Sequence, residues 1–338
     1  MDAVELPELP ALPDLLTTAH VVSLPLVTRF RGVDRREALL CEGPEGWTEF
    51  SPFLEYDDAE AAVWLAAAID FGWHAQPAAV RDRVPVNATV PAVGPAEVPA
   101  VLERFDGCRT AKVKVAERGG RLADDVARVR AVRAWMGPEG RIRLDANGGW
   151  NLDEAEHAVH ALAEFDLEYL EQPCASVDEL AQLRDRIADW DIPLAADESV
   201  RKAADPLAVA RAGAADIVVV KAQPLGGARR ALEIVHDAGL AAVVSSALET
   251  SIGLSMGVAL AAALPDLPYD CGLGTASLLA ADITTRPLKP EGGTLPVGRI
   301  EPDRALLHEH AASAERRAWW LARLERCYEL ARDDSRAI

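Results

Sequence analysis

The feature that most constrains the fold of this 338-residue chain is a regular alternation of short apolar runs with helical segments. The runs begin at residue 84 and recur roughly every 25 to 30 residues, a spacing typical of strand–helix units. They comprise residues 84–90, 111–115, 141–146, 168–171, 193–196, 217–220 and 241–245, with a weaker run near 269–272. Strands that alternate with helices indicate a parallel sheet with right-handed crossovers. Eight such strands favour a closed α/β barrel over an open sheet.

The segments between these runs carry apolar residues at helical spacing. In residues 124–135, an apolar residue occupies every third position, at Val126, Val129, Val132 and Trp135. This spacing predicts a helix that packs one face on the sheet. No G-x-G-x-x-G follows the first strand, so little favours a dinucleotide-binding fold.

The chain on either side of the repeat has a different character. Residues 20–26 and 36–40 are strand-like and residues 57–71 are helical, which indicates an α+β segment. After the last strand, a Pro- and Gly-rich stretch leads to a charged helix at residues 311–330. We expect this tail to return to the N-terminal segment. The predicted parts are the α+β segment, the barrel and the tail, at residues 1–83, 84–285 and 286–338.

Charge and composition narrow the partners and the compartment. A formal net charge of −19 disfavours nucleic acid and anionic membranes, because these bind basic patches. The sequence has no run of about 18 apolar residues without charge, so we expect no membrane span. Its first residues are acidic and Pro-rich, unlike a secretory signal, and its five scattered cysteines include no CxxC pair. We therefore expect a cytoplasmic protein whose partners include neither nucleic acid nor a membrane, with its oligomeric state left open.

Lysine is scarce in this sequence. Of the 35 basic residues only five are lysines, so arginine has otherwise taken the basic surface positions. A lysine amine can lose its proton, whereas a guanidinium effectively cannot. The retained lysines are therefore candidates for proton transfer, although any one of them could be there by chance. They are Lys112, Lys114, Lys202, Lys221 and Lys289.

Charged or amide side chains follow or end five consecutive strands of the predicted barrel. Active sites of such barrels form at the carboxyl ends of the strands, so these residues are candidates for chemistry. From Asp145 through Glu171 and Asp197 to Lys221, successive positions lie about 25 residues apart, one strand–helix unit per step, which brings these four side chains to one rim. In chain order they are Lys112 and Lys114, Asp145 and Asn147, Glu171, Asp197 and Glu198, and Lys221.

Three carboxylates on one rim predict a metal site. Asp145, Glu171 and Asp197 would repel one another without a cation, and their pKa values would rise. Mg²⁺ prefers oxygen ligands and leaves positions for water or a substrate carboxylate. Zinc is disfavoured because no His or Cys accompanies the three.

The lysines beside this site suit proton abstraction next to a carboxylate. A metal-bound carboxylate acts as an electron sink when the neighbouring α-proton is removed. Lys112 and the metal both disfavour a second positive charge, which predicts a lowered pKa for Lys114 as the base. Lys221 lies across the barrel mouth, where it could act as an acid on the other face of the substrate or as a fixed cation.

These motifs resemble a known family. The K-x-K at Lys112, the D-x-N at Asp145, Glu171–Gln172–Pro173, Asp197–Glu198–Ser199 and Lys221 are similar to those of the enolase superfamily, muconate-lactonizing-enzyme subgroup. Such sites use a Lys or His base with Mg²⁺. Residues 47–53 and 272–276 resemble the o-succinylbenzoate synthases of actinobacterial type. The resemblance covers nearly the whole chain.

The resemblance implies a modified TIM barrel, (β/α)7β, with an α+β capping domain built from the N-terminal segment and the C-terminal tail. It implies a hydro-lyase of menaquinone biosynthesis that converts 2-succinyl-6-hydroxy-2,4-cyclohexadiene-1-carboxylate into 2-succinylbenzoate. Lys114 would be base and then acid, Lys112 would tune it, and Lys221 would be a cation. Mg²⁺, with Mn²⁺ as a substitute, would bind Asp145, Glu171 and Asp197. Asn147 and Glu198 would lie around these three ligands without binding the metal directly.

The substrate contacts and the reaction itself leave alternatives open. A lid near residues 28–32 would close the pocket, and the expected substrate contacts are Arg31, Ser245, Ser246, Gly272 and Gly274. An N-succinylamino acid racemase or dipeptide epimerase would use the same metal and both lysines. A non-catalytic binding protein is disfavoured, because binding alone does not require two lysines around a metal.

Overall fold

The computed structural model describes residues 9–30, 32–202 and 205–336. Within these residues the strands, in chain order, are β1 (His20–Phe30), β2 (Val33–Gly43), β3 (Gly46–Phe50), β4 (Arg83–Pro85), β5 (Ala88–Val90), β6 (Thr110–Lys114), β7 (Arg141–Asp145), β8 (Leu167–Glu171), β9 (Leu194–Ala196), β10 (Ile217–Val220), β11 (Ala241–Val244) and β12 (Thr294–Pro296). The helices are α1 (Leu12–Thr17), α2 (Asp58–Trp73), α3 (Val98–Leu102), α4 (Leu122–Met136), α5 (Leu152–Leu162), α6 (Val177–Arg186), α7 (Glu198–Arg201), α8 (Ala208–Arg211), α9 (Ala228–Ala238), α10 (Ser251–Ala263), α11 (Arg304–Glu309) and α12 (Ala314–Arg336). In this part of the chain, no helix is long and apolar enough to cross a membrane.

A parallel sheet forms the barrel wall and confirms the predicted α/β barrel. Its strands neighbour one another in the order β5, β6, β7, β8, β9, β10 and β11. All four residues of β10 are buried, as expected for a parallel strand covered on both faces. The in-register pairs Lys114–Asp145 and Asp145–Glu171 align the carboxyl ends of β6, β7 and β8 at one level.

Two of the predicted strands differ from the structure. The run at 84–90 is divided, because β4 pairs antiparallel with β12 whereas β5 pairs parallel with β6. The eighth strand, predicted near 269–272, is reduced to isolated bridges, at Cys271 with Val86 and at Gly272 with Ser245. Backbone hydrogen bonds on both sides of this short segment still close the barrel.

Helix α4 covers the barrel as predicted, with one exception. Val129 and Val132 are fully buried, whereas Trp135 is 47% exposed. A spacing of three residues falls short of the 3.6 residues of a helical turn, so the row drifts around the helix axis. Trp135 therefore does not belong to the buried face.

The N-terminal strands and the C-terminal helix pack together. Strands β1 to β3 form an antiparallel sheet, and β1 and β2 extend into the predicted turn as far as Phe30 and Val33. Trp320 of α12 contacts Phe50 edge-on at 5.8 Å between ring centroids. The Arg323 guanidinium of the same helix donates to the carbonyl of Phe53 at 3.2 Å. The α+β cap is thus built from both ends of the chain, while its division from the barrel at residues 83 and 285 stays a prediction.

Candidate active site

The strand-end residues singled out in the sequence meet at one rim of the barrel. Asp145 ends β7 and Glu171 ends β8, whereas Asp197 and Lys221 directly follow β9 and β10. The three carboxylates are at most 1% exposed, and Lys221 is 6% exposed. Burial of so much charge requires that each group be paired.

Lysine ammonium groups provide this pairing. Lys112 Nζ lies 3.2 Å from Asp145 Oδ2 and 3.0 Å from Glu171 Oε1, so it bridges two strands. Lys114 Nζ lies 2.5 Å from the same Asp145 oxygen. Lys221 Nζ lies 2.5 Å from Asp197 Oδ2 on the other side. Lys112 and Lys114 therefore share one side of β6, as their spacing predicted.

The three carboxylates do not respond alike to this environment. Burial, reinforced by the charge of Asp145, raises the pKa of Glu171 to about 7. Burial also acts to raise the pKa of Asp145, but Lys114 and Lys112 outweigh it and hold that pKa well below its ordinary value. Lys221 and Arg201 do the same for the pKa of Asp197. The pKa values of Asp145 and Asp197 are therefore lowered because lysines supply the cation whose absence would raise them.

Two lysines differ in how burial and charge balance. Burial lowers the pKa of Lys221, and the attraction of Asp197 only partly opposes it. Burial acts to lower the pKa of Lys112 as well, but Glu171 and Asp145 raise it above the ordinary value. Lys112 is thus held as a permanent cation between two carboxylates.

The donor chemistry of the rim fits a divalent cation. Among the described residues, no three carboxylate, imidazole or thiol side chains converge closely enough to hold a metal ion in this arrangement. Asp145 and Asp197 each direct an oxygen to a lysine instead. The set nevertheless offers oxygen donors alone, which Mg²⁺ prefers.

Asn147 and Glu198 connect the ends of β7 and β9. Asn147 Oδ1 accepts from Lys114 Nζ at 2.6 Å, and Asn147 Nδ2 donates to Glu198 Oε1 at 3.2 Å. The other oxygen, Glu198 Oε2, is buried and has no hydrogen-bond partner among the described residues. Both side chains thus lie beside the carboxylates, and Asn147 also faces the cavity.

Arg201 is a site residue that the sequence analysis missed. Its Nε donates to Asp197 Oδ1 at 2.9 Å and its Nη2 to Glu198 Oε1 at 2.7 Å. Its Nη1 donates to the Tyr56 hydroxyl of the cap at 3.1 Å. The spacing of four residues from Asp197 was an available signal, but the arginines other than Arg31 were interpreted as surface charge.

Gln172 organises the turn into α7. Its Oε1 accepts from the backbone N–H groups of Asp197 and Ser199, at 2.9 and 3.1 Å. Its own φ is +40°, in the left-handed region, which sets it apart from the preceding strand. This contact fixes the backbone from which Asp197 projects.

A cavity opens between the lysines and the loop that follows β11. It is lined by Phe30, Thr89, Lys112, Lys114, Asp145, Asn147, Lys221, Ser245, Ser246, Ala247, Leu248, Gly272 and Thr275. The lining residues that were not predicted carry no ionisable or metal-binding group to mark them in the sequence; they are Phe30, Thr89, Ala247, Leu248 and Thr275. The ring of Phe30 lies 5.6 Å from Lys114 Nζ, at the end of β1 where a lid was expected.

The predicted substrate contacts divide into three groups. Ser245, Ser246 and Gly272 line the cavity, and Ser246 Oγ donates to the Gly272 carbonyl at 2.7 Å. Gly274 is not among the lining residues, and a Cβ there would meet the Asn87 carbonyl at 2.9 Å. Arg31 lies outside the described residues.

Comparison with known proteins identifies the family. Residues 21–72 match the enolase N-terminal domain-like family and residues 97–303 the enolase C-terminal domain-like family. The chain is 53% identical over 320 residues to the o-succinylbenzoate synthase of Mycobacterium marinum, covering 94% of this chain and 96% of that protein. It belongs to the o-succinylbenzoate synthase family of the enolase superfamily. For the synthase of Mycolicibacterium smegmatis, identity is 54% over 322 residues, with coverage of 95% and 98%.

Solved structures show the same fold at lower identity. The N-succinyl Arg/Lys racemase from Bacillus cereus superposes with a TM-score of 0.72 at 20% identity, covering 88% of this chain and 97% of that one. The muconate lactonizing enzyme from Pseudomonas fluorescens gives 0.73 at 21%, covering 87% and 98%. Membership of the o-succinylbenzoate synthase family confirms the resemblance that the motifs had indicated. It implies an enzyme that acts on a small molecule with the help of a divalent metal ion.

Proposed function

We propose that this protein dehydrates 2-succinyl-6-hydroxy-2,4-cyclohexadiene-1-carboxylate to 2-succinylbenzoate and water, a step of menaquinone biosynthesis. The observation that carries the proposal is 53% identity, over 94% of the chain, to a protein named for this product. The buried lysines and carboxylates around one cavity support it, because they are suited to removing a proton next to a carboxylate.

Asp145, Glu171 and Asp197 would hold the divalent cation, which we take to be Mg²⁺ because the donors are all oxygens. When bound, the cation supplies charge stabilisation to the substrate carboxylate as the neighbouring proton leaves. Lys112 adds a fixed positive charge between Asp145 and Glu171. It would orient the same carboxylate from the β6 side.

Lys114 is the proposed base. Its amine lines the cavity, so it can reach the hydrogen on C1, next to the substrate carboxylate. Lys114 would take that proton and return it to the hydroxyl leaving C6. The C1–H and C6–O bonds break, a C1–C6 double bond completes the aromatic ring, and water departs. One residue thus serves as base and then as acid.

Lys221 would act as a fixed cation on the opposite side of the ring. Its contact of 2.5 Å with Asp197 and its burial hold the ammonium in one position. Phe30 covers the Lys114 side of the cavity and would exclude water from the proton transfer.

A second candidate function is racemisation of N-succinylamino acids. The observation that favours it is the placement of Lys114 and Lys221 on different walls of one cavity, as a two-base reaction requires. Dehydration and racemisation would both use the divalent cation and begin with the same proton abstraction.

The test is turnover of both substrate types by the purified protein with Mg²⁺. We expect rapid consumption of the cyclohexadiene, followed by the change in ultraviolet absorbance as the ring becomes aromatic. No turnover of it, together with rapid α-proton exchange of N-succinylamino acids in D₂O, would favour the racemase and reject the synthase.

A further inference from the structure

The loop between β11 and α10, residues 245–250, forms one wall of the cavity. Ser245, Ser246, Ala247 and Leu248 all line it. Leu248 has a φ of +64°, a backbone conformation that residues other than Gly rarely adopt. Backbone of this kind persists only where the surroundings hold it in place.

Arg36 of the cap holds the middle of this loop. The side chain is 3% exposed, and its Nε donates to the Leu248 carbonyl at 3.1 Å. Its Nη2 also donates to the Ala247 carbonyl at 3.4 Å. The guanidinium lies 4.4 Å from the ring centre of Phe53, which fixes its plane. The carbonyl of the strained Leu248 is therefore held by Arg36, a cap residue whose guanidinium is itself fixed by packing on Phe53.

Glu49 of β3 holds the end of the loop. Its Oε2 accepts from Thr250 Oγ1 at 2.5 Å and from the backbone N–H groups of Thr250 and Gly253, each at 3.1 Å. Thr250 is the N-cap of α10, where unpaired N–H groups favour an acidic side chain. The fit is close, since a Cβ on Gly253 would lie 2.8 Å from Glu49 Cδ.

We propose that Arg36 and Glu49 are positioning residues that set the shape of the substrate cavity through the β11–α10 loop. The two side chains do not line the cavity, but Arg36 binds the carbonyls of Ala247 and Leu248, which do, and Glu49 binds Thr250 two residues further on. The loop follows β11, across the barrel from β7 with its carboxylate. The cap thereby controls the fit of the substituted ring and its succinyl chain without touching the metal ligands. The inference rests on the proposed function for the identity of that substrate.

The test compares Glu49→Ala with Glu37→Ala. Glu37 is in the same cap sheet, but its carboxylate binds Arg316 and Trp320 of α12 and not the loop. For Glu49→Ala we expect KM for the cyclohexadiene to rise about tenfold, on the scale of lost hydrogen bonds to a charged group, with kcat within about threefold of wild type. Mg²⁺ affinity, measured by calorimetry, should not change. Glu37→Ala should keep the wild-type KM.

Two further variants separate positioning from folding. Glu49→Gln retains an acceptor oxygen, so its KM should lie between those of wild type and Glu49→Ala. If Glu49→Ala does not fold, Arg36→Lys serves instead, because an ammonium lacks the rigid planar fork with which the guanidinium donates to both carbonyls. A lower melting temperature with unchanged KM in these variants would overturn the inference. A loss of Mg²⁺ affinity as large as the rise in KM in these variants would overturn it as well.

Amide hydrogen exchange tests the same contacts without turnover. The Thr250 and Gly253 amides should exchange at least about tenfold faster in Glu49→Ala than in wild type, because their acceptor is lost. Unchanged exchange would overturn the positioning role. Absence of wild-type turnover would instead reject the proposed function, and the loop contacts would then be judged by exchange alone.

Discussion

At the scale of single residues, Lys114 carries the proposed proton transfer. We expect Lys114→Ala to lower kcat at least about 100-fold, because general base catalysis contributes on that scale. Lys112 remains 3.2 Å from Asp145 to offset its charge, so the fold and Mg²⁺ binding should survive. Stopped-flow turnover and calorimetric Mg²⁺ titration of the variant check both points. Retention of most of the activity would show that the base is another group.

Lys221 distinguishes a fixed cation from an acid or base. Arg keeps the positive charge but cannot release a proton near neutral pH. We expect Lys221→Arg to retain measurable dehydration, whereas Lys221→Gln loses about 100-fold in kcat, a typical loss when charge stabilisation is removed. Steady-state kinetics of the two variants make the comparison. Equal and complete loss in both would indicate that Lys221 must exchange a proton.

Glu49 should make stability depend on pH. Burial raises its pKa to about 7, Glu249 adds to the rise, and Ser51, Thr250 and Arg36 oppose it. A carboxyl whose folded pKa is raised binds its proton more tightly when folded, so its stabilising contribution is lost as pH rises through that pKa. Between pH 4.5 and about 7, wild type should therefore lose free energy of unfolding relative to Glu49→Gln. Urea unfolding of both proteins at several pH values tests this, and parallel curves would contradict it.

At the scale of secondary-structure elements, the short helix α7 orients two carboxylates through Arg201. Residues that orient metal ligands typically account for 10- to 100-fold in metal affinity. We expect Arg201→Gln to weaken Mg²⁺ binding by roughly tenfold, because Asp197 and Glu198 lose their shared donor. Lys202→Gln is the matched control, since Lys202 is exposed and lies over the Tyr56 ring. Equal affinity in both variants would contradict this role.

Most barrel strands could be predicted because each is a short apolar run buried on both faces. Strand β10 has the bounds expected from sequence, Ile217–Val220. The prediction of a single strand at 84–90 was wrong because the two halves of this run pair with different strands, β12 and β6. The local sequence pattern does not show which strand each half pairs with. The segment near 269–272 was too short to form a ladder, although it closes the barrel.

At the scale of the whole molecule, the predictable part of the site consists of ionisable residues at the carboxyl ends of barrel strands. Lys114, Asp145 and Glu171 end neighbouring strands, so regular spacing along the chain becomes proximity in space. The contacts of Arg36 and Glu49 with the loop after β11 join residues about 200 positions apart. Such contacts depend on how the cap sits on the barrel, which residue types and periodicity do not encode.

The central claim is a dehydration that requires a divalent cation at Asp145, Glu171 and Asp197. The most direct measurement is turnover of the cyclohexadiene by protein stripped of metal with a chelator and then titrated with Mg²⁺. We predict no measurable formation of 2-succinylbenzoate before titration and full recovery afterwards, since the developing charge on the carboxylate lacks its counter-ion without the metal. Full activity of the stripped protein, or none after Mg²⁺ is restored, would contradict the account.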